Sequence, residues 1–130
     1  MAKSKLEQDC PCDSGVSYQQ CCARYISGWE PAPDAKTLMR SRYTAYTLED
    51  EKYLYKTWHP RSRPTLRFDQ QSPCKWMGLT IKAFAEDGKK ATVEFIARYK
   101  VNGRACQLHE VSKFEQEDGQ WLYVDGTFQE

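Results

Sequence analysis

The stretch CPCDSGVSYQQCC, Cys10 to Cys22, puts four thiols into thirteen residues, and no other feature constrains the chain as much. Cysteines this dense serve a disulfide framework, a redox centre or a metal site. Disulfides suit exported chains, whereas the N-terminal MAKSKLEQDCPC lacks the apolar run of a secretion signal. No later segment approaches the roughly 18 apolar residues of a membrane span. The expectation is a cytoplasmic protein, off the membrane, with reduced thiols. Spacing weakens disulfides further. The neighbours Cys21 and Cys22 have Cα atoms about 3.8 Å apart, below the roughly 4.4 Å of a relaxed bridge, and Cys10 with Cys12 closes a similarly cramped ring. Zinc takes four thiolates at about 2.3 Å, and Cys-x-Cys, eight residues, Cys-Cys supplies them from two ends of a loop. Asp13-Ser14-Gly15 is turn chemistry that folds the chain back, and SYQQ can begin a short helix carrying Cys21 and Cys22. Backbone N–H groups of the turn can donate to the sulfurs. Cys74 and Cys106 fit neither pair and read as reduced, partly buried thiols.

At 130 residues the chain has room for one main core and a small appendage. Ser27 to Lys36, with two prolines, reads as a linker with its boundary near Trp29. This divides the chain into a zinc-binding segment, residues 1–29, and a main domain, residues 30–130. Asp34 is an N-cap for a helix in which Ala35, Leu38, Met39, Arg42, Ala45 and Tyr46 keep helical spacing. Thr47 and Asp50 form a capping-box variant that opens a second helix, LEDEKYLYKTW, stopped by Pro60 at about His59. Leu54 and Trp58 form its apolar stripe. The polar, proline-punctuated run from His59 to Lys75 reads as a loop.

From Trp76 the period becomes two. Met77, Leu79, Ile81 and Ala83 alternate, EDGKK turns the chain, and Ala91 to Val101 alternate again before the hairpin signal Asn102-Gly103. A two-residue turn there pairs Tyr99 with Cys106, Ala97 with Leu108, Phe95 with Glu110 and Val93 with Ser112. Glu110 therefore points inward. The turn at Asp118-Gly119 leaves two registers. A three-residue loop, favoured because it buries aliphatics, turns Leu122, Val124, Gly126 and Phe128 inward and leaves space at Gly126 for Glu110; a two-residue loop turns Trp121, Tyr123 and Asp125 inward. Helices followed by about four antiparallel strands make an α+β fold with helices packed on one face of a curled sheet, behind a small zinc knuckle.

Arg42 and Glu110 are polar residues on otherwise apolar inner faces. They read as a pocket floor, Arg42 gripping an anionic group and Glu110 acting as base or acceptor, or as a buried ion pair closing the core. The ion pair is the plainer reading. His59 is an acid–base candidate or a cap on the last helical carbonyls, and His109 faces outward. Tyr43, Tyr46, Tyr53 and Trp76 line the cavity or fill the core. With 19 basic and 18 acidic residues, nothing marks a nucleic-acid binder. No phosphate loop, nucleophile elbow or HExxH pattern is present, so the reading leans away from an enzyme.

The cysteine stretch resembles the SEC-C motif, written CPCGSGKKYKKCC, the zinc-binding module at the tail of the SecA translocation motor. Cys10, Pro11, Cys12, Ser14, Gly15, Tyr18, Cys21 and Cys22 match it; Asp13 replaces a glycine, and Val16-Ser17 replace two lysines. The resemblance implies structural Zn²⁺ on Cys10, Cys12, Cys21 and Cys22. Without the lysines, the basic partner surface of such modules does not carry over. The helix-then-sheet order is similar to the nuclear transport factor 2 superfamily, whose cone holds a pocket. LMRSRYTAY, YLYKTWHP, WMGLTI and FEQEDGQWLYVDG, with the cysteine motif, resemble the YchJ-like family. Together these imply a binding or adaptor protein, with a protein partner at the knuckle and a small-molecule ligand in the pocket near Arg42, Glu110, His59, Tyr46 and Trp76. The alternative is a small acid/base enzyme.

Overall fold

The computed structural model describes residues 9–27, 30–63 and 75–129. Trp29, Cys74 and most of the proline-punctuated loop, on which sequence expectations fell, lie outside these. The described residues begin with a small hairpin, Asp9 bridging to Ser17, then a 3₁₀ turn, Tyr18–Gln20, and one helical turn, α1, Ala23–Ile26. Cys21 and Cys22 therefore sit between two turns rather than on one helix. The non-helical backbone of Cys21, φ −120° and ψ −109°, breaks the run.

Helix α2, Ala35–Thr47, starts where the Asp34 carboxylate accepts from the Thr37 N–H at 2.7 Å. Helix α3 is shorter than the sequence suggests, Glu51–Lys56. Asp50 alone caps it, accepting from the Tyr53 N–H. The Thr47 hydroxyl instead donates back to the Thr44 carbonyl at 2.7 Å, so the capping box is not built. The helix ends before Pro60 because Thr57 to His59 leave it to pair with the sheet.

The sheet is antiparallel in the order β1-β2-β3-β4, with β1 Lys75–Asp87, β2 Lys90–Val101, β3 Arg104–Glu117 and β4 Gln120–Phe128. Asn102 and Gly103 both have positive φ, as a two-residue turn of this kind requires, and the β2–β3 register is the one expected, Phe95 opposite Glu110. In β1, bulges at Met77 and Lys82 move Met77 and Ala83 off the inner face, so that Trp76, Leu79 and Ile81 keep it. In β4 the two registers each hold for half the strand. Asp118-Gly119 is a two-residue turn that puts Trp121 opposite Gln116 and Tyr123 opposite Phe114. A bulge at Val124 then resets the parity, so that Gly126 faces Ser112 and Phe128 faces Glu110. Asp125 is exposed. A Cβ at Gly126 would collide with the Glu110 carboxylate, so the glycine supplies the space that the glutamate needs.

Helix α2 lies across the concave face. The core joins Leu38, Tyr43, Leu54, Val93, Phe95 and Phe114 to Cys10, Cys12, Cys22, Tyr25 and Ile26 in one buried cluster. Along the outer edge of β4, the His59 N–H donates to the Tyr123 carbonyl at 2.7 Å and the Tyr123 N–H to the Thr57 carbonyl at 2.8 Å, which makes a short parallel bridge at Trp58. Among the described residues no helix is long and apolar enough to cross a membrane.

Candidate functional site: a four-cysteine centre beside an aromatic pocket

The sulfurs of Cys10, Cys12, Cys21 and Cys22 all lie within 4.8 Å of one another. Cys12 and Cys21 are 3.7 Å apart, close to the roughly 3.8 Å between sulfurs of a tetrahedral zinc with bonds of about 2.3 Å. All four are free thiols, three of them buried and Cys21 half-buried. The set fits a divalent metal in a closed four-thiolate site. Asp13, at φ +63°, and Gly15 make the turn that brings the two cysteine pairs together.

Hydroxyls and a guanidinium surround the sulfurs. Ser14 Oγ is 3.2 Å from Cys21 Sγ. From α2, Thr44 Oγ1 donates to Cys22 Sγ at 3.3 Å and lies 3.6 Å from Cys10 Sγ, while Arg40 donates to the Cys12 carbonyl at 2.8 Å. The thiols hydrogen-bond to one another. Donation from Cys10, then Cys22, holds Cys12 well below the usual thiol range. The same contact pushes Cys10 up to about 11, and Cys10, Cys12 and burial raise Cys22. A cation with two charges removes this competition by binding all four as thiolates.

Thr44 was not foreseen among the site residues, because a threonine at that helical position reads as ordinary core. Its hydroxyl ties the cysteine cluster to α2. Thr44→Val, which keeps the shape, is expected to weaken metal retention against a chelator by roughly tenfold or more, while Thr44→Ser stays near the parent. Equal retention in all three would show that the hydroxyl has no role at the sulfurs. The Asp13 carboxylate makes a second tether, accepting from the Leu79 N–H at 3.0 Å. A side chain at Gly78 would meet that carboxylate at 2.6 Å, so glycine is what lets it dock.

Next to this centre, between α2 and the sheet, lies a cavity of ≈ 330 Å³. Arg42, Tyr43 and Tyr46 line it from α2, and Trp76, Glu110, Ser112, Tyr123 and Phe128 from the sheet, with Trp58 at one side. Arg42 is 2% exposed. Its Nη1 donates to the Leu54 carbonyl at 3.0 Å and to Thr57 Oγ1 at 2.7 Å. Its guanidinium carbon lies 4.9 Å from the Trp58 ring centre and 4.6 Å from that of Tyr123. Burial lowers its pKa, and nearby Tyr46, Tyr123 and Glu110 counter that. Glu110, 8% exposed, accepts from Ser112 Oγ at 2.5 Å and from the Tyr123 hydroxyl at 3.4 Å, both on Oε2.

Arg42 and Glu110 thus share a cavity without forming an ion pair, which corrects the buried-pair reading. Tyr123 links them, its ring against the guanidinium and its hydroxyl on the carboxylate. Burial, then the Glu110 charge, pushes the Tyr123 hydroxyl far above the usual range, so it stays a donor. Tyr46 and Trp76 line the cavity, with Trp76 packed edge-on against Tyr43 at 5.6 Å. Tyr53 does not line it; its hydroxyl bonds Ser41 at 2.7 Å. His59 does not reach it either. Its Nε2 meets Glu117 Oε2 at 2.6 Å, and its Nδ1 accepts from the Arg61 N–H, because the bridge to β4 turns the ring away from the cavity. His109 pairs with Glu94 at 2.7 Å on the outer face. Cys106 is half-buried and apart from the cluster.

The family model described as YchJ, middle NTF2-like domain, matches residues 34–126, and the SEC-C motif matches residues 8–24. A UPF0225 protein of Bordetella pertussis is 48% identical over 120 residues, covering 90% of each chain. One of Chromobacterium violaceum is 46% identical over 131 residues, covering 96% of each. A SEC-C motif containing protein from Rhodopseudomonas palustris, solved in solution, superposes with a TM-score of 0.84 at 32% identity, covering 93% of this chain and 98% of that one. The crystal structure of another, from Psychrobacter arcticus, gives 0.79 at 27%, covering 97% of this chain and 85% of that one. With both its modules matched in order and close relatives along almost its whole length, the chain belongs to the YchJ-like UPF0225 family, a SEC-C motif followed by an NTF2-like domain.

Proposed function

We propose that the chain is a zinc-dependent binding protein: Cys10, Cys12, Cys21 and Cys22 hold a structural Zn²⁺ that fastens the knuckle to α2, and the cavity under α2 holds a small ligand. The knuckle's outer surface, at half-buried Cys21, is the place for a protein partner. The observation that carries this reading is the convergence of four sulfurs within 4.8 Å with an α2 hydroxyl on one of them. Four thiolates leave zinc no open position for substrate, so they favour a structural role over a catalytic one. The pocket argues the same way. Its carboxylate has an arginine nearby, but the imidazole that would complete an acid–base set lies outside, on Glu117.

Native mass spectrometry of protein purified under reducing conditions tests the reading. The expected result is one zinc per chain, absent from Cys10→Ser and Cys22→Ser, with any co-purifying small molecule recovered unchanged after prolonged incubation. A different metal, or no metal in the parent, would overturn the zinc assignment. Conversion of the bound molecule would favour the acid/base enzyme instead.

A further inference from the structure

The geometry points to a small, flat, net-uncharged ring compound that donates a hydrogen bond to Glu110 as the occupant of the cavity. This rests on the pocket reading above and adds the chemistry of the ligand. At ≈ 330 Å³ the space sits near the lower end of ligand sites, about 300–1,000 Å³, enough for one or two fused rings. Its walls are flat. Trp76 meets Tyr43 at 5.6 Å and Tyr123 meets Trp58 at 4.8 Å, both edge to face, and such surfaces select an aromatic partner by its faces and edges.

Charge sets the polarity. A guanidinium and a carboxylate border the same volume, so a ligand of either charge gives up its hydration to be attracted by one and repelled by the other. A neutral molecule avoids both. Arg42 is held as part of the wall, by the Leu54 carbonyl, Thr57 and two rings. Glu110 is the better recognition group. An ionised carboxylate only accepts and has about four lone-pair sites, of which Ser112 and Tyr123 use two on one oxygen. A ligand N–H or O–H suits what remains.

A lactam fused to a benzene ring is flat, carries no net charge and offers such an N–H. Fluorine NMR with the metal-loaded full chain would compare 5-fluorooxindole, its N-methyl derivative, 4-fluorobenzoate and 4-fluorobenzylamine. The expected result is that 5-fluorooxindole binds about tenfold or more tightly than each of the others, and that Glu110→Met abolishes its advantage over the N-methyl probe. Equal binding of the two oxindoles overturns the donor assignment, and tighter binding of either charged probe overturns the neutrality argument; in both cases the pocket itself stands. If none of the four binds, the pocket reading fails and this inference with it. The comparison of the oxindoles on the parent protein holds even where Glu110→Met does not fold.

Discussion

Cys22→Ser is expected to release the metal and to cost at least about 4 kcal/mol of stability, a fall in melting temperature of roughly 15 °C. The loss should extend beyond the knuckle. Cys22 belongs to the buried cluster that contains Leu38, Tyr43 and Leu54, and its sulfur takes the Thr44 hydroxyl from the middle of α2. Without the metal, Cys10, Cys12 and Cys21 are left as buried or half-buried thiols that compete for protons, and α2 loses an anchor. Calorimetry with elemental analysis checks this, with Cys106→Ser as a control whose half-buried thiol lies apart from the cluster. A melting temperature within about 2 °C of the parent in a metal-free variant would show that the knuckle is an appendage with no part in the stability of the domain.

Arg42→Leu should be about as damaging, roughly 4 kcal/mol, for a different reason. The substitution keeps an apolar side chain of moderate size, so the cost is electrostatic and hydrogen-bonding. The Leu54 carbonyl loses the nearer of its two donors, the Trp58 and Tyr123 faces lose their cation, and Glu110 loses a nearby guanidinium. Arg42→Lys should recover only part of this, since one ammonium cannot reproduce a planar fork between two rings. Denaturant melts of the three proteins check the order. If leucine costs under about 1 kcal/mol, Arg42 is not what ties α3 to α2, and its burial would have to serve the cavity alone.

The legible parts of the fold are those where local chemistry and tertiary demand coincide. Asn102-Gly103 between alternating runs predicts the β2–β3 register, and with it the inward carboxylate of Glu110, because turn length alone fixes the pairing. The convergence of the four cysteines is legible because four thiols at that spacing serve few purposes. In β4 the local signals compete. The turn sets one parity, the space demanded by Glu110 sets the other, and a bulge at Val124 satisfies both. Gly126 was the visible sign, although it indicates only that room is needed and not how the strand supplies it. His59 was misplaced for a related reason. Helical periodicity carries no information about the segment after Lys56 leaving the helix to run beside β4, and that departure decides where the imidazole goes. Thr44 left no trace at all, since a hydroxyl that serves a distant sulfur looks in sequence like any small core residue.

The bridge from Thr57–His59 to Tyr123 also bears on solubility. A four-stranded open sheet has two bare margins, and each is a template on which another molecule's strand can grow. Here one margin is partly occupied by the chain's own backbone, and the segment occupying it is held in turn by Arg42 through Thr57. The guanidinium in the pocket wall thus also guards against runaway association: as long as it stays seated, that stretch of β4 cannot be extended by a neighbour.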